Sequence, residues 1–135
     1  MREKLEAAFR QIRETRMAGV MLMNDRLSVE AVGFRTWRGN QLGILVTPWF
    51  MNLMLLPGLG ERVKFPCGEF EFLHAYEPAV GHYRFCPMFS LMNEFADQEA
   101  ARQTALEILK QILGADSGVS RRDFLLGAFG NAGRS

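Results

Sequence analysis

Two stretches of the chain repeat hydrophobic residues with the period of a helix. In residues 3–16 the apolar positions fall on one helix face, and they are Leu5, Ala8, Phe9 and Ile12. Residues 98–113 show a matching stripe, with Asp97 placed to cap its start and Gly114 placed to end it. The pattern predicts an N-terminal and a C-terminal amphipathic helix.

Between these helices the hydrophobic period changes to two, which is typical of strands. Residues 29–36 and 41–47 alternate on either side of Gly39 and Asn40, two residues that tolerate the positive φ of a tight turn. Residues 50–56 are uniformly apolar, so we expect a central strand or one that is covered on both faces. The first two segments are predicted to form a β-hairpin.

Three further segments alternate in the same way: residues 62–65, 69–76 and 82–86. The second is predicted to place four residues on one side, namely Phe70, Phe72, His74 and Tyr76. Five or six short strands with two flanking helices indicate an α+β fold with a mostly antiparallel sheet.

Composition indicates one folded domain followed by a tail. The chain has 135 residues, 48% of them hydrophobic, which suffices for a single core but not for two. Residues 115–135 are rich in glycine, alanine and serine and contain few bulky side chains. We therefore expect one α+β domain over residues 1–114 and a flexible tail over residues 115–135.

Charge and hydropathy argue against several classes of partner. The formal net charge is +1 and the pI is about 7.8, so nothing favours nucleic acid as a partner. The most apolar stretch, residues 43–60, is interrupted by Pro48, Asn52 and Pro57, which favours core over direct membrane insertion. The N-terminus is charged where a secretory signal is apolar, so we expect a cytoplasmic protein.

Soft and borderline metal ligands are present but match no metal motif. His74 and His82 with Cys67 and Cys86 have spacings unlike those of zinc or redox sites. The favoured interpretation is a pair of buried thiols and two partly exposed strand histidines, without a metal or another cofactor.

Catalytic motifs are also absent from the sequence. No glycine loop that cradles phosphate and no Gly-x-Ser-x-Gly elbow occurs. Glu69 and Glu71 lie on the predicted solvated side of one strand, where they act as solubilising charges. We therefore predict that the protein is not an enzyme.

The segment TPWF, residues 47–50, points instead to binding. Pro48 fixes the backbone where a strand ends, so that Trp49 and Phe50 are presented at a bend. Trp49 is interpreted either as a core anchor or as part of an apolar binding surface. Four methionines raise the same alternatives, either a soft groove or core filling: Met51, Met54, Met88 and Met92.

Four motifs taken together resemble one family. They are VTPWFMNLMLLPG (46–58), FPCGEFEF (65–72), HYRFC (82–86) and SRRDFLLG (120–127). In order and spacing the chain is similar to the HybE/HupJ/HoxT type of [NiFe]-hydrogenase assembly chaperone.

The resemblance implies a cytoplasmic, non-enzymatic protein that binds hydrogenase precursors and delays their export until assembly is complete. Its expected partners are the large and small subunit precursors, with other hydrogenase accessory proteins as further candidates. The expected partner-binding residues are Pro48, Trp49, Phe50, Met51, Arg121, Arg122, Phe124 and Leu125.

The C-terminal motif has two interpretations. The segment around Arg121 and Arg122 is either a mimic of the twin-arginine signal expected on the small subunit or a short docking helix. A different function remains as the alternative, a metal or redox carrier in cofactor assembly that uses Cys86 and Cys67. Of these two cysteines, Cys86 matches the family pattern and Cys67 does not.

Overall fold

The structure, a computed structural model, describes residues 2–17, 23–58 and 62–114. Within these ranges the chain forms two helices and seven strands. They are α1 (Arg2–Thr15), β1 (Glu30–Trp37), β2 (Asn40–Val46), β3 (Met51–Leu56), β4 (Arg62–Phe65), β5 (Gly68–Glu71), β6 (Leu73–Glu77), β7 (Gly81–Phe89) and α2 (Gln98–Leu113).

Five of these strands make one sheet, in the order β1-β2-β3-β7-β6, and every neighbouring pair is antiparallel. Strands β4 and β5 form a separate two-stranded hairpin. The predicted α+β class with a mostly antiparallel sheet and two flanking helices is confirmed. The predicted tail, residues 115–135, lies outside the described residues.

The two helices begin and end close to where the sequence predicts. The carboxylate of Asp97 accepts a hydrogen bond from the N–H of Ala100 at 2.8 Å, which satisfies one of the unpaired donors at the start of α2. At the other end the N–H of Gly114 donates to the carbonyl of Lys110 at 2.8 Å. Both predicted boundaries of α2 are confirmed.

Successive residues of the central strand pack against different helices. Leu53 belongs to the core beneath α2, which also contains the β4–β5 hairpin residues Phe65 and Phe70. Met54, the next residue, belongs to the core beneath α1. Because side chains alternate across a strand, α1 and α2 cover opposite faces of the sheet. All six residues of β3 are buried, as predicted for a strand covered on both faces.

The first hairpin forms as predicted, with a different residue in its turn. Trp37 pairs with Asn40, and the two intervening residues adopt positive φ, Arg38 at 51° and Gly39 at 80°. The sequence predicts positive φ at Gly39 and Asn40, so Gly39 is as expected and Arg38 takes the place of Asn40. Strand β1 is also irregular, because its register shifts between Val32 and Arg35.

The predicted strand over residues 69–76 is wrong as a single element. The chain leaves the small hairpin at Glu71 and enters the main sheet at Leu73, so Phe72 lies at the change of sheet. Phe70 and Phe72 are buried, whereas His74 and Tyr76 are exposed. The alternation of burial stops at this junction, since Leu73 and His74 are both exposed and no residue of β6 is fully buried.

Candidate functional site

The turn between β2 and β3 is held by the side chain of its first residue. The hydroxyl oxygen of Thr47 accepts hydrogen bonds from the N–H of Trp49 at 3.2 Å and of Phe50 at 2.9 Å. The N–H of Thr47 donates to the carbonyl of Phe50 at 2.8 Å. Thr47 is fully buried and Pro48 restricts the backbone. The two aromatic residues that follow are therefore presented in a fixed conformation.

Five rings continue from this turn across the face that α1 covers. We call them the aromatic chain: Trp49, Phe50, Phe9, Tyr83 and Phe85. Successive ring centroids are 5.6, 5.8, 6.4 and 6.2 Å apart, and the first three contacts are edge to face. This geometry is the favourable one for aromatic pairs. The contacts join the β2–β3 turn to α1 and β7.

The interior of the aromatic chain is buried and the remainder is accessible. Phe9 and Tyr83 are buried, whereas Trp49, Phe50 and Phe85 are half-buried. Trp49 and Phe50 lie at one end of the aromatic chain and Phe85 at the other, and we call these three residues together the aromatic surface. Half-buried rings that are fixed by buried neighbours combine accessible apolar area with little freedom to lose, which suits a protein-binding site.

A buried asparagine connects the turn to the segment before α2. The N–H of Asn24 donates to the carbonyl of Pro48 at 2.8 Å. Its side-chain amide donates to the carbonyls of Met92 at 2.8 Å and Phe95 at 2.9 Å. Because these partners are separated along the chain, Asn24 holds the position of the turn relative to the rest of the fold.

The hydroxyl of Tyr83 is kept protonated by its surroundings. Burial raises the pKa of Tyr83, and the negative charge of Glu77 raises it further, to about 12. The positive charge of Arg16 acts in the opposite direction and lowers this pKa. The guanidinium of Arg16 forms hydrogen bonds of 3.0 and 3.2 Å with the carboxylate of Glu77. Tyr83 is thus a neutral group in the physiological range, and its role in the aromatic chain is packing.

The structure separates the partner-binding residues that the sequence proposed. Trp49 and Phe50 are accessible, whereas Pro48 is buried and Met51 is fully buried in the core beneath α2. The four methionines singled out in the sequence are all buried, so they fill the core, and Met88 also lines a surface pocket beside Phe89 and Leu91. The remaining proposed residues lie outside the described residues: Arg121, Arg122, Phe124 and Leu125.

Cys86 belongs to the core beneath α2, and Cys67 packs against the edge of that core. Both are thiols; Cys86 is buried and Cys67 is half-buried. In residues 2–17, 23–58 and 62–114, no three His, Cys, Asp or Glu side chains are grouped so that they could hold a metal ion. The proposed Cys86 and Cys67 carrier site therefore has no set of convergent ligands in this part of the chain.

Sequence reasoning missed three members of the aromatic chain. Phe9 was assigned only to the helix core, and Tyr83 and Phe85 were not connected with the TPWF segment. The signal for the last two is their i, i+2 spacing in HYRFC, which places both rings on one face of β7.

Within the described part of the chain, neither helix is long and apolar enough to cross a membrane.

Comparisons with known proteins assign this α+β fold to a family. A family model described as "[NiFe]-hydrogenase assembly, chaperone, HybE" matches residues 1–127. The chain belongs to this family.

Two relatives and one solved structure illustrate the similarity. The chain is 42% identical to "Hydrogenase expression/formation protein HupJ" of Bradyrhizobium diazoefficiens, over 88% of this chain and 77% of that protein. It is 39% identical to "Probable rubredoxin HupJ" of Rhodobacter capsulatus over 84% of this chain, and it spans only 45% of that relative's length. The solution structure of HybE from Escherichia coli has the same fold, with a TM-score of 0.66 at 19% identity over 84% of this chain and 76% of that one.

Proposed function

We propose that the chain is an assembly chaperone that binds precursor subunits of a [NiFe]-hydrogenase in the cytoplasm. It holds the large subunit, the small subunit or both, and it delays export until assembly is complete. It acts by binding and not by catalysis. The family supports the general role. The observation that carries the proposal is that Trp49 and Phe85, which lie in different family motifs, belong to the same aromatic chain.

The aromatic surface is the proposed contact with the precursor. Trp49, Phe50 and Phe85 are half-buried, so an apolar segment of a precursor gains contact area by covering them. The turn is already fixed by Thr47, so little conformational entropy is lost on binding. Aromatic residues, tryptophan above all, commonly contribute most of the energy of such contacts. Pro48 restricts the backbone of this turn, and Met51, the residue after Phe50, anchors the start of β3 in the core beneath α2.

The C-terminal motif is the proposed second element of recognition. Arg121 and Arg122 followed by Phe124 and Leu125 repeat the order of a twin-arginine signal. In one version the motif mimics the signal peptide of the small subunit, and in the other it is a docking helix. Replacing both arginines with lysine keeps the charge and removes the planar guanidinium, so only mimicry predicts altered binding or export timing.

The chain contains two tryptophans, which provides a matched experiment. Trp49 belongs to the aromatic surface, whereas Trp37 stacks on Phe65 at 4.5 Å and packs against the other core. We expect Trp49→Ala and Phe85→Ala to weaken binding of purified precursor subunits by roughly tenfold or more. Trp37→Ala is the control, and thermal unfolding of each variant shows whether the fold is retained.

These experiments distinguish the contribution of the folded domain to precursor binding from the contribution of the tail. Equal precursor binding by folded Trp49→Ala, Phe85→Ala and wild-type proteins would show that the aromatic surface is not the contact. A chain that stops after Gly114 tests the tail in the same assay. If that truncated chain binds precursor as tightly as the full chain, the arginine motif serves another step. If the full chain captures neither subunit, the proposed function itself fails.

A further inference from the structure

Both histidines of the chain lie side by side at one edge of the sheet. The sequence contains two histidines, His74 on β6 and His82 on β7. In the β6–β7 ladder His74 is paired with Arg84 and His82 with Tyr76, so the two imidazoles are diagonal neighbours on the same face. Both side chains are exposed. The aromatic chain and the proposed function use neither of them.

The two rings meet through their nitrogen atoms. Nε2 of His74 lies 2.7 Å from Nδ1 of His82, the ring planes are inclined by 17°, and the ring centroids are 4.9 Å apart. Because the nitrogens are much closer than the centroids, the rings meet edge to edge. One nitrogen donates a proton and the other accepts it, and the tautomers of the two rings decide which.

We propose that His74 and His82 form a binding site for a borderline divalent transition-metal cation such as Zn²⁺, Ni²⁺ or Cu²⁺. Neighbouring nitrogen ligands at the usual metal–nitrogen distance of about 2.0–2.1 Å are roughly 2.9–3.4 Å apart. The observed separation of 2.7 Å needs only a small increase, which the exposed rings permit by rotation. The donor ring moves its proton to its other nitrogen, so both imidazoles bind as neutral ligands.

The small number of protein ligands makes this a site that binds a cation reversibly. In the described ranges no further His, Cys, Asp or Glu joins the pair to make a group of three. The cation therefore keeps open positions for water or for a ligand from a bound protein. Arg84, the paired residue of His74, directs its Nη2 to the carbonyl of Pro57 at 2.8 Å. Imidazole ligands select these metals over Mg²⁺ and Ca²⁺, which prefer oxygen.

The test is calorimetric titration of the untagged full chain with Ni²⁺ alone and Zn²⁺ alone. We expect one ion per chain, and affinity that falls roughly tenfold or more in His74→Gln and in His82→Gln, because each removes one of two ligands. The control is Cys67→Ser, which removes the half-buried thiol and keeps both imidazoles. Retention on a column with immobilised Ni²⁺ is a second measurement that requires no partner protein.

Both histidine side chains are exposed, so the variants should fold, and circular dichroism verifies this. The proposal is overturned if the wild-type chain binds these ions no more tightly than the His74→Gln/His82→Gln double variant. It is also overturned if affinity is lost with Cys67→Ser and kept in both single histidine variants. The inference is independent of precursor binding, since Trp49→Ala should bind Ni²⁺ like the wild type.

Discussion

The ring of Phe34 lies directly on Gly43. A Cβ added at Gly43 would be 2.2 Å from Cδ1 of Phe34, far closer than non-bonded carbon atoms approach. Gly43 lies in β2 opposite Met54, on the face that α1 covers. The glycine is therefore needed for space, and it allows the half-buried Phe34 to pack flat against the sheet.

We predict that Gly43→Ala destabilises the protein by about 1–3 kcal/mol, because the added methyl group must displace the Phe34 ring. Urea denaturation measures the change. Phe34→Ala should remove much of the penalty, so the double variant should be more stable than the sum of the two single effects indicates. Strictly additive effects would contradict the proposed contact.

A second prediction concerns the buried amide of Asn24. Asn24→Ala removes the side-chain hydrogen bonds to the carbonyls of Met92 and Phe95, and we expect a loss of roughly 2 kcal/mol in the free energy of unfolding. Asn24→Asp should be worse at neutral pH, because a carboxylate would face two carbonyl oxygens. Thermal unfolding measures both. If the two variants were as stable as the wild type, the side-chain hydrogen bonds to Met92 and Phe95 would contribute nothing to stability.

A third prediction follows from the raised pKa of Tyr83. Between its ordinary value of 10 and about 12, the folded state keeps the phenol proton while the unfolded state loses it. The unfolded state then binds fewer protons, so stability must fall as the pH rises through this range, by on the order of 2 kcal/mol. Denaturant unfolding between pH 9 and about 12 measures this slope, which Tyr83→Phe should reduce.

The two tyrosines of the chain allow a direct check of this pKa. Tyr76→Phe leaves Tyr83 as the only tyrosine, and its ionisation can be followed by ultraviolet absorbance. The midpoint should lie near 12 in the folded protein. A midpoint near 10 would show that the ring is not buried against α1 as described.

A fourth prediction concerns acid stability at the start of α2. Burial acts to raise the pKa of Glu30, but hydrogen bonds from Arg102 and Gln98 and the charge of Arg102 outweigh it, so this pKa is lowered. The charged form is favoured in the folded state, and its stabilisation is lost as the pH falls below about 4.5. Glu30→Gln should flatten the acid side of the stability profile. An unchanged profile would argue against the interaction.

Local patterns predicted much of the fold. The helix stripe with Asp97 and Gly114 located α2, because capping and periodicity are encoded by neighbouring residues. The uninterrupted apolar run of β3 likewise predicted a strand buried on both faces. The change of sheet at Phe72 was missed, because the alternation of residues 69–76 contains no information about which strand each half pairs with.

The candidate site was predicted only in part for the same reason. TPWF predicted a bend that presents Trp49 and Phe50, and it left Trp49 as either a core anchor or part of a binding surface. In the structure both rings are half-buried. Phe9 lies 41 positions before Phe50 in the chain, and their ring contact depends on where α1 lies across the sheet. The position of His74 beside His82 likewise depends on the register of β6 against β7.

The burial of β3 between two helical layers has a consequence for hydrogen exchange. Its backbone pairs with β2 on one side and β7 on the other, and its side chains alternate between the cores beneath α1 and α2. Successive amides of a strand point to opposite neighbours, so the amides of Leu53 and Met54 are each exposed only when one of the two central ladders separates. These protons should therefore exchange last, at a rate that reports global unfolding, even when α1 alone moves away.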